Sequence, residues 1–223
     1  MPSASSRSAL RAITPIRADV LLIVFARAPV AGRVKTRLAP RLGAAGAARL
    51  HRRLVENAVH TAREARCGPV ELHATALHQL FPSLGVEVKR QRGRDLGERM
   101  HRALRYALRR FRTAILIGTD CPALTPADLR NAARKLDGGA DIVLAPAEDG
   151  GYALIGARRI SLRLFTDVDW GSADVLAQTL RNAREARMRY RLLRTVWDVD
   201  RPEDLARLRS RPLFSAVRRR ARR

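Results

Sequence analysis

Three short apolar runs constrain what this chain can fold into: DVLLIVFA at 19–26, AILIG at 114–118 and ADIVLAP at 140–146. A strand with one wet face alternates polar and apolar residues. A strand that is apolar at almost every position is covered on both faces, as in parallel sheets packed between helices. The intervening sequence supplies the helices. Leu50, Leu54 and Ala58 recur every four residues within a predicted helix over about 44–65, which Cys67-Gly68-Pro69 stops. Leu96, Met100, Leu104 and Leu108 do the same within 96–111. Thr125 as N-cap and Pro126 at the first turn open a further helix that Asp137-Gly138-Gly139 closes. Ser172 is read as the cap of a helix over about 173–187, and a last short helix starts at 201–204. Further strands are expected at 70–77, 85–89, 152–156 and 190–197. Buried strands alternating with helices give an α/β domain with a mostly parallel central sheet.

Length and composition bound the rest. With 223 residues, 46% of them apolar, the chain suits one domain over 19–210, flanked by a flexible leader (1–18) and an Arg-rich tail (211–223). Two cysteines cannot build a disulfide scaffold. No apolar run approaches the ~20 residues of a membrane span, and the leader lacks a signal-peptide core. These features point to a cytoplasmic protein without a membrane partner. The net charge of +23 raises nucleic acid as a partner. However, 41 of the 44 basic residues are arginine, which fits compositional bias, and leader and tail together carry nine of them without an acid. Ten aromatics, only Phe214 of them in the tail, disfavour a base-stacking platform. Nucleic acid is therefore a disfavoured partner, and a non-catalytic nucleic-acid-binding protein is kept only as a second alternative.

In a parallel α/β sheet, chemistry gathers in the loops at the carboxyl ends of the strands. After the first run comes RAPVAGRVKTRL, with Arg27, Gly32, Arg33, Lys35 and Arg37. It is neither a Walker loop nor G-x-G-x-x-G, yet its glycine and cations suit a polyphosphate, or else form an exposed basic loop. After the second comes Thr119-Asp120-Cys121-Pro122. A carboxylate there is well placed to hold a Mg²⁺ that bridges phosphates, and Cys121 reads as a small buried hydrophobe. After the third comes Glu148-Asp149-Gly150-Gly151-Tyr152, either a tight acidic turn beside a ligand or an ordinary hairpin turn. Asp198 and Asp200 follow the last strand, as metal ligands or as the cap of the next helix. Asp95 and Glu98 fit a capping box as well as a ligand contact. Trp170 is a core or a stacking residue. The five histidines show no metal-ligand spacing and are read as non-ligands.

Taken in order, FARAPVAGRVKTRL, DLGERM, IGTDCPAL, PAEDGGYALIG, WGS and DVDRPEDL resemble a bacterial glycosyltransferase-like family named for arsenosugar biosynthesis and long catalogued as a domain of unknown function. The resemblance spans about 19–209. It implies a GT-A-like, nucleotide-diphosphosugar transferase fold: a three-layer α/β/α sandwich. It also implies kinship with guanylyltransferases for molybdenum cofactor and 2-phospholactate. By position, Arg27, Gly32, Lys35 and Arg37, with Asp95 and Thr119, would bind the nucleotide. Asp120 would stand for the metal-binding acid of a D-x-D motif, here with one acid only, so that Asp149 or Asp198 supplies the second ligand. Gly150, Gly151, Tyr152 and Trp170 would line the substrate pocket, and Ala153 stands where many relatives have a second aromatic. The expected activity is Mg²⁺- or Mn²⁺-dependent transfer of a sugar from a nucleotide-diphosphate sugar to a small acceptor, with Glu148 or Asp149 as base. Nucleotidyl transfer from a nucleoside triphosphate is the alternative, and a homodimer is left open.

Overall fold

The computed structural model describes residues 19–209; the leader and the Arg-rich tail lie outside them. Seven strands form one sheet: β1 (Val20–Ala26), β2 (Val70–Ala74), β3 (Glu87–Arg90), β4 (Thr113–Gly118), β5 (Ile142–Pro146), β6 (Tyr152–Ala157) and β7 (Tyr190–Leu192), in the spatial order β3-β2-β1-β4-β6-β5-β7. Every strand except β6 runs the same way; β6 is antiparallel to both β4 and β5. β1, β4 and β5 are buried at nearly every position, as continuous apolar runs require. Beyond Leu192 the last predicted strand leaves the ladder, with Leu193 N still donating to the Leu144 carbonyl and the Ala147–Val196 bridge further on.

Helices cover both faces. α1 (Ala39–Ala65) and α3 (Pro126–Asp137) pack their apolar stripes, including Val55, Ala58, Leu129 and Leu136, against Leu22, Val24 and Ile115. α2 (Leu96–Leu108) and α4 (Val175–Glu185) close the other face over Leu21, Ile23 and Leu116. The short α5 (Asp204–Arg209) follows the last loop. The result is the expected three-layer α/β/α sandwich. Among the described residues no helix is long and apolar enough to cross a membrane.

Local sequence accounts for most element ends. Thr125 and Asp128 form a reciprocal capping box. Gly43, with φ at 69°, breaks α1 one residue before the predicted start. Asp95 caps α2, but Glu98 reaches back to the amide of Arg94, not to that of the cap. Asp174, not Ser172, is the N-cap of α4; the Ser172 hydroxyl accepts from the Asp174 amide.

One ion cluster pins the sheet edge. Glu71, on β2, is 3% exposed. Its carboxylate meets His73 Nε2 at 2.9 Å, Lys89 Nζ at 2.7 Å and Arg110 Nη1 at 3.3 Å. Burial opposes its ionisation, yet the bonds from His73 and Lys89 outweigh burial and hold its carboxyl at about 2. A carboxyl depressed from the ordinary value stabilises the fold above that value and loses the contribution as pH falls through the native one. Glu71→Gln is therefore expected to cost about 3 kcal/mol at neutral pH. The gap to the parent should close as pH falls from about 4.5 toward about 2, measured by urea denaturation across that range.

Candidate functional site

The chain passes from β1 to β2 on one side and later to β4 on the other. The carboxyl ends of β1 and β4 therefore border a topological switch point, where open α/β sheets place ligands. A cavity of about 640 Å³ opens there, a volume typical of small-molecule sites. Its wall is built from four loops: Arg27 and Arg33–Arg37 after β1, Gly118–Cys121 after β4, Asp149 and Gly151 before β6, and Asp198 with Asp200 beyond β7.

Lys35 ties these loops together. Its backbone is left-handed, with φ at 49°, a strained state for a residue with a side chain. Its ammonium, 4% exposed, donates to the Val199 carbonyl at 2.6 Å and to Asp120 Oδ1 at 2.9 Å, with Asp200 at 3.9 Å. Arg37 pairs with Asp200. The segment 196–200 is held further by neighbouring loops. Val196 N donates to Pro146 O, Glu148 N to Val196 O, Cys121 Sγ to Trp197 O and Val199 N to Asp120 O. Arg194 clamps Asp128 and the Ala123 carbonyl just upstream.

Asp149 and Asp198 both line the cavity. Asp198 is pushed up to about 6, first by burial and then by the neighbouring carboxylate of Asp149. Among the described residues no group of three or more His, Cys, Asp or Glu side chains is arranged to hold a metal. Two carboxylates on one cavity wall nevertheless suit Mg²⁺, which takes one or two carboxylates and completes its shell with other oxygens and water. Asp120 stands at the same edge, but its carboxylate already receives Lys35.

The turn after β5 separates its two acids. Glu148 points away from the cavity and meets both terminal nitrogens of Arg207, at 2.6 and 2.9 Å. Asp149 lines the cavity and accepts from Gly151 N at 2.9 Å. A register shift at Ala145/Pro146 kinks the hairpin where the turn begins. Tyr152 offers the cavity its ring: the hydroxyl is buried near Thr179, and burial pushes the phenol well above its usual range. Trp170 lines the opposite wall, seated on the bare backbone of Gly97 and beside Phe165 at 6.3 Å. Thr119 also lines the cavity, whereas Gly32, Asp95 and Gly150 do not. Cys121 is a buried thiol pushed up to about 12 by burial and Asp198, which makes it a poor nucleophile.

His51 is the wall residue that sequence spacing did not reveal. It sits on the buried face of α1, 3% exposed. Nε2 donates to the Arg27 carbonyl at 3.1 Å. That leaves Nδ1 as an acceptor without a hydrogen-bond partner, 3.9 Å from Asp120 Oδ1. Burial holds the ring below its usual pKa despite the pull of Asp120, so it is neutral at pH 7. A lone histidine one position past Leu50 carries no pattern that announces this.

Gly150, with φ at 89°, holds the turn in place. A Cβ there would fall 1.9 Å from the Ala173 carbonyl oxygen, while its own carbonyl accepts from Leu176 N at 2.9 Å. Gly150→Ala is expected to cost at least about 2 kcal/mol and to separate Asp149 from Trp170; urea denaturation and Trp fluorescence will read both.

Solved structures place this geometry among nucleotide-handling folds. The chain is similar to a protein from Desulfovibrio desulfuricans G20 provisionally named a nucleotide-diphospho-sugar transferase, at 28% identity over 89% of this chain and 94% of that one, with a TM-score of 0.79. Its fold is shared with CMP:2-keto-3-deoxy-manno-octonic acid synthetase complexed with CTP, at 12% identity over 86% of this chain and 97% of that one, TM-score 0.58. It is also shared with a nucleotidyl transferase from Methanothermobacter thermautotroptrophicus, at 18% identity over 86% and 96%, TM-score 0.56. The fold is the GT-A-like α/β fold of nucleotidyl and sugar transferases. No curated protein matches the sequence. Residues 52–172, more than half of the chain, match the family described as an uncharacterized protein conserved in bacteria, DUF2064, and the chain belongs to that family.

Proposed function

We propose that the chain is a transferase that moves a sugar from a nucleotide-diphosphate sugar to a small acceptor with the help of Mg²⁺ or Mn²⁺. The observation that carries this reading is a cationic loop meeting Asp149 and the partly buried Asp198 in one cavity at the switch point. The similarity to the Desulfovibrio protein, at 28% identity, favours a sugar donor.

Among the described residues, Arg27 and Arg33 are cations of the loop after β1 that line the cavity without a carboxylate partner, which suits them to receive a diphosphate. Lys35 fixes the loop that carries them through Val199 and Asp120. Asp198, with Asp149, would hold the divalent cation. Bound there, the cation would stabilise the charge developing on the leaving diphosphate. Asp149 is also the acid of its turn that faces the cavity, and thus the one placed to take a proton from an acceptor hydroxyl. The Tyr152 and Trp170 rings would form apolar walls for the transferred sugar and the acceptor.

A thermal-shift screen of nucleotides and nucleotide sugars, with and without Mg²⁺ or Mn²⁺, tests this, because a ligand that binds only the native state raises Tm. A nucleotide sugar is expected to raise Tm more with the cation than without. Asp198→Asn should remove the cation-dependent part. Arg27→Ala with Arg33→Ala should weaken nucleoside diphosphate binding about tenfold while sparing the nucleoside. Pyrophosphate release from a nucleoside triphosphate without sugar transfer would move the assignment to nucleotidyl transfer. A screen with no stabilising nucleotide would overturn both.

A further inference from the structure

A second cavity, of about 420 Å³, opens between the edge strand β3 and α2. It shares Gln91 and Arg99 with the main cavity and is otherwise separate from it. Lys89 and Arg90 come from β3, Arg92 from the next loop, and Arg99, Arg102 and Tyr106 from α2. No aspartate or glutamate is among its lining residues.

The acids nearby are already engaged. Glu71 lies beneath the cavity and takes His73, Lys89 and Arg110. Glu87 pairs with Lys89, and Glu98 with Arg94 and Arg102. Among the described residues Arg90, Arg92 and Arg99 have no carboxylate partner. Three uncompensated guanidiniums around one concavity repel each other until an anion arrives, and each offers a charge-assisted donor fork to it.

An arginine-rich chain has many solvated guanidiniums, but here the wall is built. Gly93, with φ at 147°, lets the loop lie against the start of α2; a Cβ there would be 2.7 Å from Arg99 N. Arg99 Nε donates to the Gly93 carbonyl at 3.1 Å, and Arg94 N to Glu98 Oε2 at 2.8 Å. The backbone bearing Arg92 is thus fixed before any ligand binds. Tyr106, 41% exposed, adds an apolar wall whose ring carries Lys89 Nζ 4.4 Å from its centroid. Gln91 bonds the Ala26 and His73 carbonyls at the boundary with the main cavity.

We propose that this cavity is a phosphate-binding subsite, with Arg90, Arg92 and Arg99 as its donors. The phosphate is either free or carried by a small organic molecule, and Arg99 is the one donor that the subsite shares with the main cavity. Tyr106 favours a carried phosphate, because a bare ion has no use for an aromatic wall.

Calorimetric titration of the full chain at physiological salt, with inorganic phosphate and with ribose 5-phosphate, tests the proposal. The parent should bind at least one of the two probes. Arg90→Ala combined with Arg92→Ala, both exposed positions, should weaken that binding at least about tenfold. Lys35→Ala, which alters the main cavity, should leave it within about twofold. Tighter binding of the sugar phosphate identifies a carried phosphate; tighter binding of the inorganic ion identifies a free one. Unchanged affinity in the double variant overturns the proposal. So does a loss that instead follows Lys35→Ala, or a parent that binds neither probe. None of these results bears on the nucleotide screen, so the two readings fail separately.

Discussion

The site depends on one buried ammonium. Lys35 reaches from a left-handed position after β1 to the Val199 carbonyl and the Asp120 carboxylate. In doing so it joins residues that are 85 and 164 positions away in sequence. A side chain with 4% exposure would be costly to leave charged alone. Here a carboxylate and a carbonyl compensate it, and the arrangement persists because segment 196–200 is independently held by Pro146, Glu148, Cys121 and Asp120. Strain in one residue is offset by bonds distributed over four loops.

Charge is distributed with the same economy. Many acids of the core domain are spent on neutralising particular cations: Asp128 on Arg194, Glu71 on Lys89 and His73, Glu148 on Arg207. Asp198 is held differently: burial and the nearby Asp149 carboxylate push its carboxyl up to about 6 against the opposing pull of Lys35. At the β3 edge the imbalance has the opposite sign. The net charge of +23 is therefore less informative than its local departures from neutrality, which fall at two cavities sharing a wall.

Sequence made the layers legible because burial on two faces leaves a direct trace, an unbroken apolar run, at β1, β4 and β5. Direction leaves none: YALIG reads the same in a parallel or a reversed strand, so the orientation of β6 waited for the structure. Strand-end loops pointed correctly to the neighbourhood of the cavity, since that rule depends on topology alone. Individual duties inside it were less legible. Glu148 and Asp149 are adjacent and chemically alike, and only the kinked turn sends one to Arg207, 59 positions on, and the other inward. His51 acquires its orphaned nitrogen from the way α1 lies over the end of β1, which helical spacing does not encode.

The reversed strand has a consequence for how sites of this design can diversify. β6 is paired on both sides, so the turn that feeds it, 147–151, cannot lengthen without sliding two ladders at once. The chain leaves β6 at the far edge and comes back through 158–174, an irregular return that delivers Trp170 to the rim. The Asp149 turn is thereby tied to the sheet, while the rim at Trp170 is carried by a stretch that pairs with no strand. A change at Trp170 or its neighbours therefore reshapes the cavity rim without disturbing a strand ladder.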